Sequence, residues 1–345
     1  MRSTFQYKIF KPFQGSVRSA FTLIELVVVM GLIAVLASLT IYAVSAFQAN
    51  ARYAATEVLI MKLDSMVQQR RGDLYRYLKA SDQRVTSTVD PAYVVAFRNQ
   101  IANPNNGDAV NYSNGYGGGT AGRSTRIVFG RKLSYRASFP QKFSEFRSPP
   151  TMKTPGNHRP ETESAEVLYH FLTNSSQFGG AAVEKGEFSD QEVADTDNDG
   201  LLEFVDAWGQ PLRFYRWPTR LIRAQTSDPT QPTGDTRAAY TLSNLNIKYA
   251  GDLLIGNPPS PTTLAADPDD PRGFINQNLE DFEQEFHTAF TWHSPLIMSV
   301  GEDGENGLFE PSDNARHGHL AQPDPNNLGA IYDNISSLML RAGGE

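Results

Sequence analysis

Cysteine is absent from all 345 residues of the chain. Its absence excludes disulfide bonds, thiol catalysis, zinc–thiolate sites and a lipidated N-terminal cysteine. Acidic side chains are absent from residues 1–20, whereas the remaining residues carry 27 Lys and Arg against 38 Asp and Glu. An acidic body argues against a nucleic-acid partner, because binding to phosphates calls for a basic surface.

Recognisable catalytic motifs are also missing. The sequence contains no GxSxG motif and no Walker or Rossmann glycine loop. The glycine-rich stretch 115–122 lacks a lysine and a strand-to-helix context, which is typical of a flexible loop. His317 and His319 are closely spaced, but neither an HExxH motif nor a third zinc ligand accompanies them. We therefore expect a protein that is not an enzyme.

An apolar segment lies near the N-terminus. Residues 26–47 carry no charge, and as a helix they would extend about 33 Å, enough to cross the hydrocarbon core of a bilayer. The basic residues of the first twenty precede it, so the positive-inside rule places residues 1–20 in the cytoplasm and exports the chain after residue 50. A cleaved secretory signal and a plain signal anchor are both possible. Neither explains Glu25, a carboxylate at a depth where charge is costly unless neutralised.

The stretch AFTLIEL at residues 20–26 resembles the cleavage and methylation signature of type IV prepilins and type II secretion pseudopilins. The resemblance implies that a prepilin peptidase cuts between Ala20 and Phe21, and that the new N-terminus is methylated. The family usually has glycine where this chain has Ala20. Glu25 would then be the fifth mature residue and would pair with the α-ammonium group of a neighbouring subunit, at a helix end that favours negative charge. Thr22 and Glu25 are accordingly expected to serve assembly.

The helical pattern continues beyond the membrane segment. Apolar side chains recur at helical spacing at Ala55, Leu59, Leu63 and Met66. The expected organisation is a prepilin leader, a transmembrane helix, an amphipathic continuation of that helix and a head in the periplasm or outside the cell, at residues 1–20, 21–47, 48–80 and 81–345.

The head has signals for both strands and helices. Residues 99–125 predict a long loop. Strands are predicted at residues 126–130, 132–139, 212–217, 238–243 and 296–300. Helices are predicted at residues 163–174 and 278–290. This order favours an α+β fold with an antiparallel sheet, and the resemblance implies that the long N-terminal helix packs on the head, as in pilins, with large insertions.

A first acidic loop has the spacing of an EF-hand calcium loop. Four carboxylates occupy its positions 1, 3, 5 and 12, and Gly200 at position 6 allows a sharp turn: Asp195, Asp197, Asp199 and Asp206. Alternate carboxylates of this kind converge on one point, which predicts a calcium site; a solvated acidic turn is the alternative. Residues 206–211 resemble the D-P-W-G-N-P segment of the type II secretion major pseudopilin, where Trp208 would be a core anchor.

A second acidic loop spans residues 299–310. It resembles the S-L-G-A-D-G-x-x-G segment of the same pseudopilins, in which calcium ties the C-terminal loop together. Asp303 matches the aspartate of that motif, and Asp333 lies in an approximate match to the later D-x-D-I segment. The resemblance thus implies calcium ligands at Asp303 and Asp333.

These observations predict a filament subunit of a type II secretion or type IV pilus-like machine in the inner membrane. Its expected partners are other pilin or pseudopilin subunits, the prepilin peptidase, an inner-membrane assembly platform and membrane lipid, with no nucleic acid. A hypothesis from another class is a membrane-anchored, calcium-binding surface protein that never polymerises.

Overall fold

The computed structural model describes residues 22–83, 120–146, 156–174, 182–222, 267–270, 275, 279–288 and 292–342. The chain divides into two compact units, Met1–Ala51 and Arg52–Glu345. The expected leader at 1–20, the processing residues Ala20 and Phe21, and the predicted strand at 238–243 lie outside the described residues.

Helix α1 spans Leu23–Gln83. In the first unit its apolar side chains are exposed, from Leu23 at 81% to Phe47 at 73%. A helix that presents apolar side chains on all sides suits lipid better than water. Among the described residues, α1 is the one helix long and apolar enough to cross a membrane.

In the second unit, α1 supplies one wall of the core. Leu59 and Leu63 of the predicted stripe are buried, Met66 is half-buried, and Ala55 is exposed. Further along the same helix the core includes Ile60, Val67, Leu74 and Leu78.

Helix α2, Thr120–Ser138, replaces the strands predicted at 126–130 and 132–139, and also the last six residues of the predicted loop at 99–125. Those predictions were wrong because the residues of α2 are buried on most of its faces, including Val128, Phe129, Lys132 and Tyr135. A helix buried all round has no polar stripe, so its sequence lacks a clear helical period.

Helix α3, Pro160–Asn174, contains the helix predicted at 163–174. It packs on two short antiparallel elements, strand β2 of a hairpin and strand β3 of the main sheet. The hairpin pairs β1, Val193–Ala194, with β2, Glu203–Phe204.

The main sheet has the order β3-β4-β5 and is antiparallel throughout. Its strands are Arg213–Tyr215, Leu296–Ser299 and Ile335–Ser336. Arg213 pairs with Met298, and Met298 pairs with Ser336. The first two strands confirm the predictions at 212–217 and 296–300.

The described residues also contain three shorter helices: α4, Thr219–Ile222; α5, Leu279–Glu285; and α6, Ser337–Ala342. Helix α5 lies within the helix predicted at 278–290. Single 3-10 turns occur at Phe143–Glu145, Lys185–Glu187, Gly318–Leu320 and Leu328–Tyr332.

Aromatic side chains fill the core between the helices and the small sheet. Trp217 stacks on Tyr135 with ring centroids 5.4 Å apart, and Phe171 contacts Phe214 of β3. The chain therefore combines a long apolar N-terminal helix with a mixed α+β region built around a small antiparallel sheet, as the sequence predicted at this level.

Candidate metal centre and assembly site

The N-terminal residues predicted to serve assembly form a local hydrogen-bonded pair. Glu25 Oε2 accepts hydrogen bonds from the Thr22 backbone N–H at 2.8 Å and from its hydroxyl at 2.9 Å. The Glu25 backbone N–H donates in turn to Thr22 Oγ1 at 3.2 Å. This reciprocal arrangement is a capping box, which satisfies backbone donors at the start of α1. Glu25 thus has a role in its own helix that the resemblance did not imply.

The first acidic loop connects β1 to β2 and turns sharply at Gly200, whose φ is +92°. Both oxygens of Asp195 accept backbone hydrogen bonds, from the N–H groups of Asp199 and Gly200, each at 3.1 Å. Asp195 therefore closes the turn. These bonds hold the loop in a shape that directs Asp197 and Asp199 towards α3.

Two loop carboxylates meet two side chains from the region of α3. His158, Glu166, Asp197 and Asp199 each offer a ligand atom, and these four atoms lie within 4.8 Å of one another. His158 Nδ1 is 3.6 Å from Asp199 Oδ2 and 3.7 Å from Glu166 Oε2. This cluster of three acids and one histidine, called here the His158 cluster, could hold a metal ion.

Burial leaves much of the His158 cluster without hydrogen bonds. Glu166 is fully buried, and neither of its carboxylate oxygens has a hydrogen-bond partner among the described residues. The same holds for both ring nitrogens of His158 and for Asp199 Oδ2. Buried polar atoms are normally satisfied, so five such atoms in three adjacent side chains require a physical explanation.

The electrostatics of the cluster favour a positive charge at its centre. Burial is the largest cause that raises the pKa of Glu166, to about 8, and the neighbouring charges of Asp199, Asp197 and Glu203 raise it further. The Thr162 hydroxyl lowers the pKa of Glu166, but by less than burial raises it. Burial likewise raises the pKa of Glu203 on the adjacent strand. A cation among these carboxylates would relieve both the desolvation and the mutual repulsion.

Asp206, the predicted twelfth position of the calcium loop, lies outside the His158 cluster. Its Oδ1 accepts hydrogen bonds from the N–H groups of Trp208 and Gln210, both at 2.9 Å. Its Oδ2 accepts from the Ser299 hydroxyl at 2.6 Å. The side chain is buried and ties the turn before β3 to the end of β4. Trp208 is half-buried and packs against the core.

Replacing Asp206 with alanine should lower the free energy of unfolding by about 2 kcal/mol, because three donors lose a charged acceptor. We would measure this by urea unfolding of the full chain in detergent micelles, with the exposed Asp190→Ala as control. The change in melting temperature caused by a chelator should keep its wild-type size. Loss of that chelator effect in Asp206→Ala would instead assign Asp206 to a metal site.

The second acidic loop brings its two predicted ligands together. The Asp303 backbone N–H donates to Asp333 Oδ2 at 3.1 Å. Partial burial, together with the charges of Asp333 and Glu305, raises the pKa of Asp303. Gly301, with φ +72°, lies directly beneath Asp333: a Cβ there would come within 2.6 Å of Asp333 Oδ2. Only glycine permits this close approach.

Sequence reasoning missed His158 and Glu166. They lie about 30 to 40 residues before the acidic loop, so no local spacing connects them to it. One signal was available, because Glu166 belongs to the row Thr162, Glu166, Tyr169 and Thr173 along one face of α3, and all four are buried. A buried acid on a helix that packs against a sheet needs a partner.

A scan against protein-family models, a search of curated proteins and a search of solved structures each return no match for this chain.

Proposed function

We propose that this protein is a structural, non-enzymatic filament subunit of the pseudopilin kind, anchored by α1 and assembled through that helix in the cell envelope. The observation that carries the proposal is a carboxylate, Glu25, at the first turn of an apolar helix whose side chains are exposed. Apolar helices of this kind lose their exposed surface when they pack side by side. The acidic residue near the helix start then faces the N-terminus of a neighbouring subunit.

The sequence around Glu25 gives the proposal its specific form. A cut between Ala20 and Phe21 would create an α-ammonium group close to the start of α1, and the pilin-like motif contains both the cut and the acid. The head would lie in the periplasm or outside the cell, with prepilin peptidase and an inner-membrane assembly platform as partners. The fold would then be the pilin arrangement of a long helix with a β-sheet head, enlarged by insertions.

Calcium at the second acidic loop belongs to the same proposal. Asp303 and Asp333 approach each other across Gly301, and two neighbouring carboxylates repel unless a cation lies between them. Binding there would fix the loop between β4 and β5. A rigid head would in turn help subunits to stack regularly along a filament.

The mature N-terminus is the first test. Mass spectrometry of the protein purified from its native membrane should find N-methylated Phe21 as the first residue. An N-terminus at Met1, or a cut after residue 46, would exclude the pilin-like interpretation.

Replacing Glu25 with alanine should leave membrane insertion intact but remove the subunit from filaments, because no carboxylate remains for the neighbouring ammonium group. Filament content would be measured by shearing and immunoblotting, with membrane fractionation as the insertion control. Glu57→Ala, which removes an acid from the same helix outside the apolar segment, is the matched control. Normal incorporation of Glu25→Ala would refute the pairing.

The membrane-anchored protein that never polymerises is the second candidate. The capping box of Thr22 and Glu25 favours this second candidate, because the carboxylate of Glu25 already has hydrogen-bond partners within its own chain. Under this hypothesis, chemical cross-linking in the membrane would find monomers only, and the N-terminus would keep its leader.

A further inference from the structure

We propose that the His158 cluster is a binding site for a divalent transition-metal ion of the Zn²⁺ or Mn²⁺ kind, and that it is not a calcium site. Its ligands would be His158 Nδ1 and the carboxylates of Glu166, Asp197 and Asp199. The inference concerns the head alone and does not depend on filament assembly.

The donor set argues for a transition metal. Calcium prefers six to eight oxygen ligands, whereas imidazole nitrogen suits zinc and other first-row ions. One nitrogen with three carboxylates is a mixed set that both Zn²⁺ and Mn²⁺ accept. The EF-hand spacing of the loop supplies only two of these four ligands, Asp197 and Asp199.

The distances fit an ion of this size. Ligand atoms placed about 2.1 Å from a tetrahedral ion lie about 3.4 Å apart. His158 Nδ1 is 3.6 Å from Asp199 Oδ2 and 3.7 Å from Glu166 Oε2, too far for hydrogen bonds. The three side chains thus surround a point without bonding to one another.

The buried atoms without partners provide the independent evidence. The side chains of Glu166 and Asp199 are fully buried, and His158 is 8% exposed. In each of them the atom directed at the cluster has no hydrogen-bond partner. By contrast, the other oxygen of Asp199 accepts a hydrogen bond from the Leu201 N–H at 2.7 Å, which orients the carboxylate.

The surroundings of His158 match those of a metal-bound histidine. A ligating imidazole normally directs its second nitrogen at a carboxylate. His158 Nε2 faces Glu163 Oε2 at 4.0 Å, and the ring packs on Phe143 with centroids 4.8 Å apart. Glu163 is itself held by the Phe143 backbone N–H at 2.9 Å. Packing on Phe143 therefore orients the ring plane, and Glu163 lies on the side of the second nitrogen without a hydrogen bond to it.

Asp197 connects the site to the start of α3. Its Oδ2 accepts hydrogen bonds from the Arg159 N–H and the Thr162 hydroxyl, both at 3.0 Å. The Arg159 guanidinium reaches the Thr196 carbonyl at 3.2 Å. Asp197 is half-buried, which gives an ion a route in from solvent.

The test is isothermal titration of the full chain in detergent micelles, stripped with a chelator, with Zn²⁺, Mn²⁺ and Ca²⁺ in turn. We expect one site that binds Zn²⁺ or Mn²⁺ at least 100-fold more tightly than Ca²⁺. His158→Ala should weaken that binding at least 100-fold. His170→Ala, in α3 but outside the cluster, should leave it unchanged. Calcium that binds at the second acidic loop should bind equally well in His158→Ala and is counted separately. Tighter binding of Ca²⁺ than of Zn²⁺ and Mn²⁺ at the site that His158→Ala weakens, no binding there, or an unaltered Zn²⁺ and Mn²⁺ affinity in His158→Ala would overturn the proposal.

Glu166→Gln separates lost ligation from lost folding. Glutamine has nearly the same shape as glutamate but cannot act as a carboxylate ligand, so the stripped protein should melt no lower than the wild type, while the stabilisation on adding Zn²⁺ or Mn²⁺ disappears. The exposed Glu161→Gln on the same helix is the control for charge. With bound Mn²⁺, electron spin echo modulation should report one imidazole nitrogen in the wild type and none in His158→Ala. Persistence of the metal-induced shift in Glu166→Gln would equally count against the site.

Discussion

Replacing Lys132 with methionine is expected to lower the free energy of unfolding by about 3–5 kcal/mol, the usual cost of breaking a buried ion pair from one side. Lys132 is fully buried in α2, and its ammonium group lies 2.6 Å from Asp267 Oδ1 and 2.9 Å from Asp269 Oδ2. Burial opposes its charge, but Asp269 and Asp267 outweigh burial and hold the pKa of the lysine above its usual value. Methionine has a similar length and would leave Asp267 in the core with only the neutral His287 ring beside it, and Asp269 with only the Arg131 guanidinium, 3.9 Å away.

Urea unfolding of the full chain in detergent micelles would measure this loss, with the exposed Lys79→Met as the matched control. Adding Asp267→Asn and Asp269→Asn to Lys132→Met should recover part of the stability, because the uncompensated charges are then gone. A loss below about 1 kcal/mol in the single variant would mean that the two aspartates take up protons or find solvent instead.

Two histidines buried in neutral form should lower the free energy of unfolding as the pH falls from 6.5 to 4.5. Glu166, whose carboxyl keeps its proton in the metal-free fold over this range, offsets part of that loss. The His287 ring donates from Nδ1 to the Thr288 carbonyl at 2.9 Å, and His319 donates from Nε2 to the Glu283 carbonyl at 3.0 Å. Burial is the main cause that lowers the pKa of His287 to about 4 and that of His319 to about 3.

The sign follows from proton uptake. Below pH 6.5 the unfolded chain protonates both histidines while the folded chain does not, so stability is complete above pH 6.5 and falls as the pH drops. Over these two pH units each histidine lowers the free energy of unfolding by about 2 kcal/mol. The ion pair of Glu283 with Arg220, at 2.9 Å, holds the pKa of Glu283 at about 2. The stability that this ion pair gives the folded state is therefore lost only as the pH falls from about 4.5 to about 2.

Unfolding free energies at pH 7.5 and pH 4.5 would measure the effect. Between these two pH values the variant His319→Gln should lose about 2 kcal/mol less than the wild type, and the double variant with His287→Gln about 4 kcal/mol less. An equally steep loss in the double variant would assign the acid sensitivity to other groups. His319 lies in the core, where its Nε2 donates to the Glu283 carbonyl.

The elements that the sequence predicted correctly carry local signals. Helix α3 has an apolar side with Val167, Leu168 and Phe171, and strands β3 and β4 are short runs of apolar and aromatic residues. Helix α2 has no such signal. Its buried Lys132 and Arg136 are satisfied by Asp267 and Glu285, which lie more than a hundred residues further along the chain, so its helical state depends on tertiary partners.

Two of the four residues of the candidate metal centre could be predicted from the sequence, because only those two carry a local signal. The EF-hand spacing within the loop identifies Asp197 and Asp199 as ligands. It makes Asp206 a ligand as well only if a helix follows the loop. Here a strand and a turn follow, and Asp206 binds that turn. His158 and Glu166 enter the cluster through the packing of α3 on β2, which no short sequence pattern contains.

The capping box at the start of α1 has a consequence for how subunits would exchange between bilayer and filament. Glu25 already accepts two hydrogen bonds within its own chain. In the proposed filament, the ammonium group of a neighbour would add a counter-charge that these hydrogen bonds do not supply, so it would still favour assembly. A subunit that leaves such a filament would return to the lipid with its carboxylate hydrogen-bonded, which lowers the cost of disassembly and reuse of the subunit.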